Sequence, residues 1–202
     1  MIRKLLYRVT DNLPMRYINH GVGPYMERAY LYTLPGLNLG PIQIPGLRFY
    51  IHRFVASDAD GIHSHPFRYS FSCILAGWYF EDRWLVRRIK RFFNYIGPSD
   101  FHRVVLPDNG RDVWTLFIHT ARVQPWGFLR KVGNGEAGFG KYEYTAESEP
   151  NDPAFSDWHL HEPKGRELRA RLPQIPLGQS APPGMVRATG REGNVHAGRN
   201  TM

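Results

Sequence analysis

Short apolar runs separated by turn residues recur along this chain and read as strands. The segment RFYIHRFVAS, residues 48–57, is apolar on both faces and predicts a central strand. FRYSFSCILAGWYF, residues 67–80, predicts a strand or a pair of strands bent at Gly77. In EDRWLVRRIKRFF, residues 81–93, Trp84, Val86 and Phe92 mix with Arg87, Arg88, Lys90 and Arg91 without helical spacing, so a hairpin is expected rather than a helix. FHRVVL and DVWTLFIHT read as two further strands, and the Asn109-Gly110 turn between them is a strong hairpin signal. Near the start, LLYRV and RAYLYTL read as short apolar elements of strand type. PGLNLGPIQIPG reads as a loop with a short edge strand at PIQI.

Beyond residue 123 the pattern thins, and Trp158 with a few leucines predicts a short helix packed on the body within 146–172. From residue 173 large apolar groups are too few to repay ordering, so a flexible end is expected. The expected organisation is one compact domain over 1–165 and a basic, Gly/Pro-rich tail over 166–202. Five to seven strands joined by short turns indicate an all-β, antiparallel barrel or sandwich.

Composition narrows this picture. With 20 Gly and 16 Pro in 202 residues, turns and strands are favoured over a helix bundle. No run of about 18 apolar residues is present, which argues against a membrane-spanning helix. Cys73 is the single cysteine, which excludes an internal disulfide and any multi-cysteine metal site. The basic opening MIRKLLYRVTDN has too short an apolar stretch for a secretory signal, and a cytoplasmic chain is expected. Half of the net charge of +8 lies in residues 166–201, which leaves the rest only modestly basic. Basic and aromatic residues interleave over 83–93, but a solvated hairpin face explains them better than a nucleic-acid surface.

Chemistry concentrates in the histidines. Gly61-Ile62-His63-Ser64-His65-Pro66 holds an H-x-H pair, and residues two apart in an extended segment point to the same side. Two neutral imidazoles so placed can share one transition-metal ion. His102, at a strand start just after a Gly-Pro turn, is the best third ligand. A second pair, His159 and His161, lies outside the strand region and matches no motif.

The arrangement resembles the cupin superfamily over roughly residues 48–120. His63 and His65 match the histidine pair of the first cupin motif, Gly77 its closing glycine, and His102 the histidine of the second motif. More narrowly, His52-Arg53-Phe54, Asp58, His63, His65-Pro66, Trp114-Thr115-Leu116-Phe117 and Trp126-Gly127-Phe128 look like a group of small bacterial and bacteriophage cupin-like proteins. The resemblance implies a small jelly-roll barrel holding a divalent metal, Fe(II) ahead of Zn, Mn or Ni, and a homodimer formed through edge strands. It implies a metal-dependent oxygenase or isomerase acting on a small oxygenated substrate, anionic if the arginines reach it; a non-catalytic binding or viral accessory module is the alternative. The cupin glutamate would fall at Ser70, a poor ligand, so only three ligands carry over.

Around these three, His52 is either a core residue or a proton-moving group, and His119 either lines the pocket or sits at its rim. Arg53 and Arg68 interrupt apolar strands; each either meets an anion, from Asp58, Asp60 or a substrate, or faces outward. Asp58 and Asp60 either back a ligating imidazole or cap the turn. Tyr69 is a core residue unless it lines the pocket.

Overall fold

The chain begins with a helix rather than a strand: LLYRV lies within α1, Ile2–Thr10. Leu6 and Thr10 recur at a spacing of four and are buried, and Tyr7 meets Trp114 edge-on with ring centroids 5.0 Å apart. The computed structural model describes residues 1–20, 23–58, 61–83, 86–134, 140–148 and 157–171. Asp60, Trp84, His196 and the expected flexible end from 173 lie outside those residues.

Fourteen strands follow α1 among the described residues. One antiparallel sheet has six strands, in the order β1 (Met15–His20), β2 (Gly23–Leu34), β5 (Leu47–Phe54), β12 (Val113–His119), β7 (Ser70–Ala76) and β10 (Phe93–Ile96). The second has the order β14 (Gly140–Ser148), β13 (Trp126–Asn134), β6 (Ile62–Ser64), β11 (Phe101–Val105), β8 (Tyr79–Arg83) and β9 (Val86–Lys90). β3 (Leu37–Leu39) and β4 (Ile42–Ile44) form a separate two-stranded hairpin.

The architecture is jelly-roll-like, but the expected barrel is not there. Each ladder of hydrogen bonds ends at edge strands, β1 and β10 in one sheet and β14 and β9 in the other, so neither sheet closes on itself. Two open sheets enclose the core instead. Alternation specifies a half-buried strand in either case and does not report closure.

The Asn109-Gly110 turn also connects differently from expectation. Gly110 takes the left-handed conformation there, with φ +64°, yet β11 and β12 do not pair with each other. The chain crosses from one sheet to the other at this point. It does so again at Gly77, where φ is +86° between β7 and β8. The hairpin expected over 81–93 is present as the β8–β9 pair. β5 is central as expected, between β2 and β12.

α1 covers the outer face of the first sheet, where Leu6, Met15, Ala29, Ile51, Ala76 and Trp114 pack together. Asp112 joins helix and sheet: it accepts from Arg3 Nε at 2.8 Å, Arg53 Nε at 2.7 Å and Trp114 Nε1 at 3.0 Å. The expected short helical region consists of a 3-10 turn, Trp158–Leu160, and α2, Gly165–Arg171. Arg169 of α2 bonds Glu27 and Asp11, so α2 is tied to the sheet and to the end of α1. Among the described residues no helix is long and apolar enough to cross a membrane.

Candidate metal centre

Register brings the three expected histidines together. His63 on β6 is the direct cross-strand partner of His102 on β11, so both side chains leave the second sheet on the same face. His65 follows two residues after His63 and turns to the same side. The ligand atoms of His63, His65 and His102 lie within 4.8 Å of one another. His63 and His102 are buried, and His65 is partly so.

Two of the rings are backed by carboxylates. His102 Nδ1 lies 3.0 Å from Glu81 Oε1. Glu81 is completely buried, and it also receives Asn94 Nδ2 at 2.6 Å and Arg83 Nε at 2.8 Å, with Lys90 Nζ at 3.2 Å. Burial pushes its carboxyl pKa up, but the hydrogen bonds from His102, Arg83 and Asn94 outweigh this and hold it well below the usual range. Glu81 is therefore an acceptor only, and His102 Nδ1 must donate to it. His63 Nδ1 is 2.8 Å from Asp58 Oδ2, a close contact with the carboxylate. Asp58 is held in place by its backbone N–H, which donates to the Val104 carbonyl at 2.9 Å.

With Nδ1 of His102 committed, its Nε2 presents a lone pair, and it faces His65 Nε2 at 2.7 Å. One proton or one cation satisfies that pair. Burial lowers the pKa of His65, and the neighbouring His102 and His63 lower it further. Burial also lowers that of His102, against the raising effect of Glu81. Both rings are thus neutral near pH 7, the form that ligates metals. Donor type, protonation and convergence all fit a divalent transition metal.

The cluster opens on a cavity of about 340 Å³ between the sheets, within the range of small-ligand sites. Its walls include Phe54, Phe117, Tyr79 and Trp126, and the first sheet contributes Arg28 and His52 from opposite the histidines. Arg28 and His52 are cross-strand partners, and Arg28 Nε donates to His52 Nε2 at 3.1 Å. Burial first, then the Arg28 charge, holds the His52 pKa well below its ordinary value. The ring is neutral with its proton on Nδ1, and it stacks on Phe117 at 4.9 Å.

The remaining expected site residues lie elsewhere. His119 is buried against Phe67, with ring centroids 3.6 Å apart, and its Nδ1 contacts the Thr120 carbonyl at 2.7 Å. Arg53 points to the helix-covered side and pairs with Glu27 at 2.8 Å and Asp112 at 2.7 Å. Arg68 and Tyr69 are exposed and border a groove beside the β3–β4 hairpin. Ser70 is buried and donates to the Ile96 carbonyl at 2.7 Å. His159 stacks on Tyr30 at 3.8 Å and His161 is exposed; neither joins the cluster. In the basic stretch, Arg83 is bonded to Glu81 and Arg87 to Asp82.

Two site residues escaped sequence reasoning, Glu81 and Arg28. The alternation Tyr79, Glu81 and Met26, Arg28, Tyr30 placed each on a definite face. Nothing in the sequence said which face looks into the cavity.

No model of a known protein family matches the chain, and no curated protein does. Solved structures match parts of it. The cupin-2 domain Rru_A2000 from Rhodospirillum rubrum is 12% identical over 62% of this chain and 78% of its own, with a TM-score of 0.43. The DMSP lyase DddQ from Ruegeria pomeroyi DSS-3 is 18% identical over 54% of this chain and 56% of its own, with a TM-score of 0.40. Fe(II)-HppE with the alternative substrate (S)-1-HPP is 9% identical over 55% of this chain and 57% of its own, with a TM-score of 0.41. The match thus spans little more than half the length of the lyase and of HppE.

Proposed function

We propose that this protein is a metal-dependent enzyme that holds one divalent ion on His63, His65 and His102 and converts a small oxygenated substrate in the adjoining cavity. The observation that carries this reading is the convergence of the three imidazoles to within 4.8 Å, on the wall of a pocket between the two sheets. Fe(II) is the first choice, with Zn, Mn and Ni also suited to imidazole donors. The bound ion supplies Lewis acidity and, if iron, redox chemistry, with oxygenation or isomerisation as the reaction.

The protein's own part follows from its residues. Glu81 fixes the tautomer of His102 and turns its Nε2 to the ligand position. Asp58 does the same for His63 through its close contact with Nδ1. Phe54, Phe117 and Tyr79 line the pocket with rings and restrict water around the ligands. His52, neutral and held by Arg28 on the wall opposite the cluster, keeps its Nδ1–H as a hydrogen-bond donor.

Elemental analysis of the untagged protein tests the metal reading. About one ion per chain is expected, and the His63→Ala/His65→Ala double variant should lose it. Retention of the ion by that variant would remove the assigned ligands. Oxygen consumption over a panel of small oxygenated compounds then separates oxygenase from isomerase, and turnover of none favours a binding module.

A further inference from the structure

Several half-buried arginines of this protein meet carboxylates. Arg53 pairs with Glu27 and Asp112, Arg83 with Glu81, and Arg169 with Glu27 and Asp11. Arg28 is different. It is partly buried on the cavity wall, its Nε donates to the neutral His52, and its guanidinium lies 5.7 Å from the Tyr50 ring centre. Among the described residues no carboxylate pairs with it, and neither of its terminal nitrogens bonds a protein acceptor. A desolvated cation with only neutral partners is unfavourable, and a charge removed from water is normally compensated by an opposite one. The fold has neutralised these other enclosed arginines and left this one facing the cavity.

We propose that Arg28 receives an anionic oxygen group, carboxylate or phosphoryl, of the small ligand taken up by the histidine cavity. This rests on the metal-site reading above and adds the substrate's charge. Because Nε is held by His52, the plane of the guanidinium is set and Nη1 and Nη2 form the free edge, which matches two oxygens of a carboxylate or phosphate. Arg28 stands on the first sheet and the metal ligands on the second, across one cavity of about 340 Å³. A ligand anchored at one end by Arg28 therefore presents its other end to the histidines.

The test is titration of the full-length chain with acetate, inorganic phosphate and neutral acetamide, at constant ionic strength, in metal-loaded and metal-free forms. The readouts are the Arg28 Nε–H resonance, ligand affinity and metal content. Saturable binding of acetate or phosphate, with a shift at Arg28 Nε–H, is expected in both forms, and none with acetamide. Whichever anion binds more tightly identifies the group. Arg28→Gln should weaken anion binding at least tenfold, Arg28→Lys less, with the metal content of both unchanged. Anion binding that requires the metal and ignores Arg28→Gln overturns this proposal and leaves the metal reading standing. Arg28-dependent binding in a chain that takes up no metal does the reverse. If Arg28→Gln does not fold, the wild-type resonance and Arg28→Lys decide: an Arg28 Nε–H unmoved by any anion overturns the proposal.

Discussion

Glu81 and His102 sit on adjacent strands of the second sheet, and a 3.0 Å contact from Glu81 Oε1 to His102 Nδ1 aims the far nitrogen of the ring at His65. The carboxylate is kept ionised by Arg83, Asn94 and the ring itself. Replacing Glu81 with Gln removes the charge and leaves the tautomer of His102 free. Metal affinity should fall by about 10- to 100-fold. Competition with a chelator of known affinity measures this. An Asp58→Asn variant should fall in the same direction, through His63.

Acid should destabilise the fold by way of two histidines that are no metal ligands in the proposed site. His119 has its pKa lowered to about 3, by burial first and then by the Arg28, Arg48 and Arg122 charges against the Thr120 carbonyl. His52 is lowered well below 6.5. In the unfolded chain both titrate near 6.5, so below that pH the unfolded state binds more protons. The stability that neutral His52 and His119 provide is complete above about pH 6.5 and declines as pH falls toward their folded values. Each fully protonated-on-unfolding histidine contributes a slope of about 1.4 kcal/mol per pH unit. Urea midpoints between pH 7 and pH 4.5 should fall, and His119→Gln should flatten that fall.

Asp112 satisfies Arg3, Arg53 and Trp114 at once, beneath α1. An Asp112→Ala substitution leaves the enclosed Arg53 charge with Glu27 alone and strands the indole N–H. A loss of about 3–5 kcal/mol is expected, as when one partner of a buried pair is removed. The denaturant midpoint measures it, and metal content should be unaffected wherever the protein remains folded.

Gly165 opens α2 where a Cβ would run into the Thr10 carbonyl at the end of α1. The Gly165→Ala variant should push the two helices apart and weaken the Arg169–Glu27 contact. A loss of about 1–3 kcal/mol is expected from overpacking. Thermal unfolding, with hydrogen exchange at α2, reads both effects.

Local rules make much of this protein legible in the amino-acid sequence alone. Short apolar runs bounded by turn residues mark β5, β7, β8, β11 and β12, and Gly77 and Gly110 mark real turns. The H-x-H spacing by itself puts His63 and His65 on one side, because successive side chains in an extended segment alternate. What lies beyond reach of local rules is decided by which strands become neighbours. His102 joins the pair through the β6–β11 register, Glu81 reaches it from β8, and Arg28 faces them only because the two sheets stack. The Asn109-Gly110 turn bends the chain but cannot say whether the next strand pairs with the last or crosses to the other layer. The same holds for closure: a strand's alternation is identical in a barrel and in an open sheet, and long-range pairing alone distinguishes them.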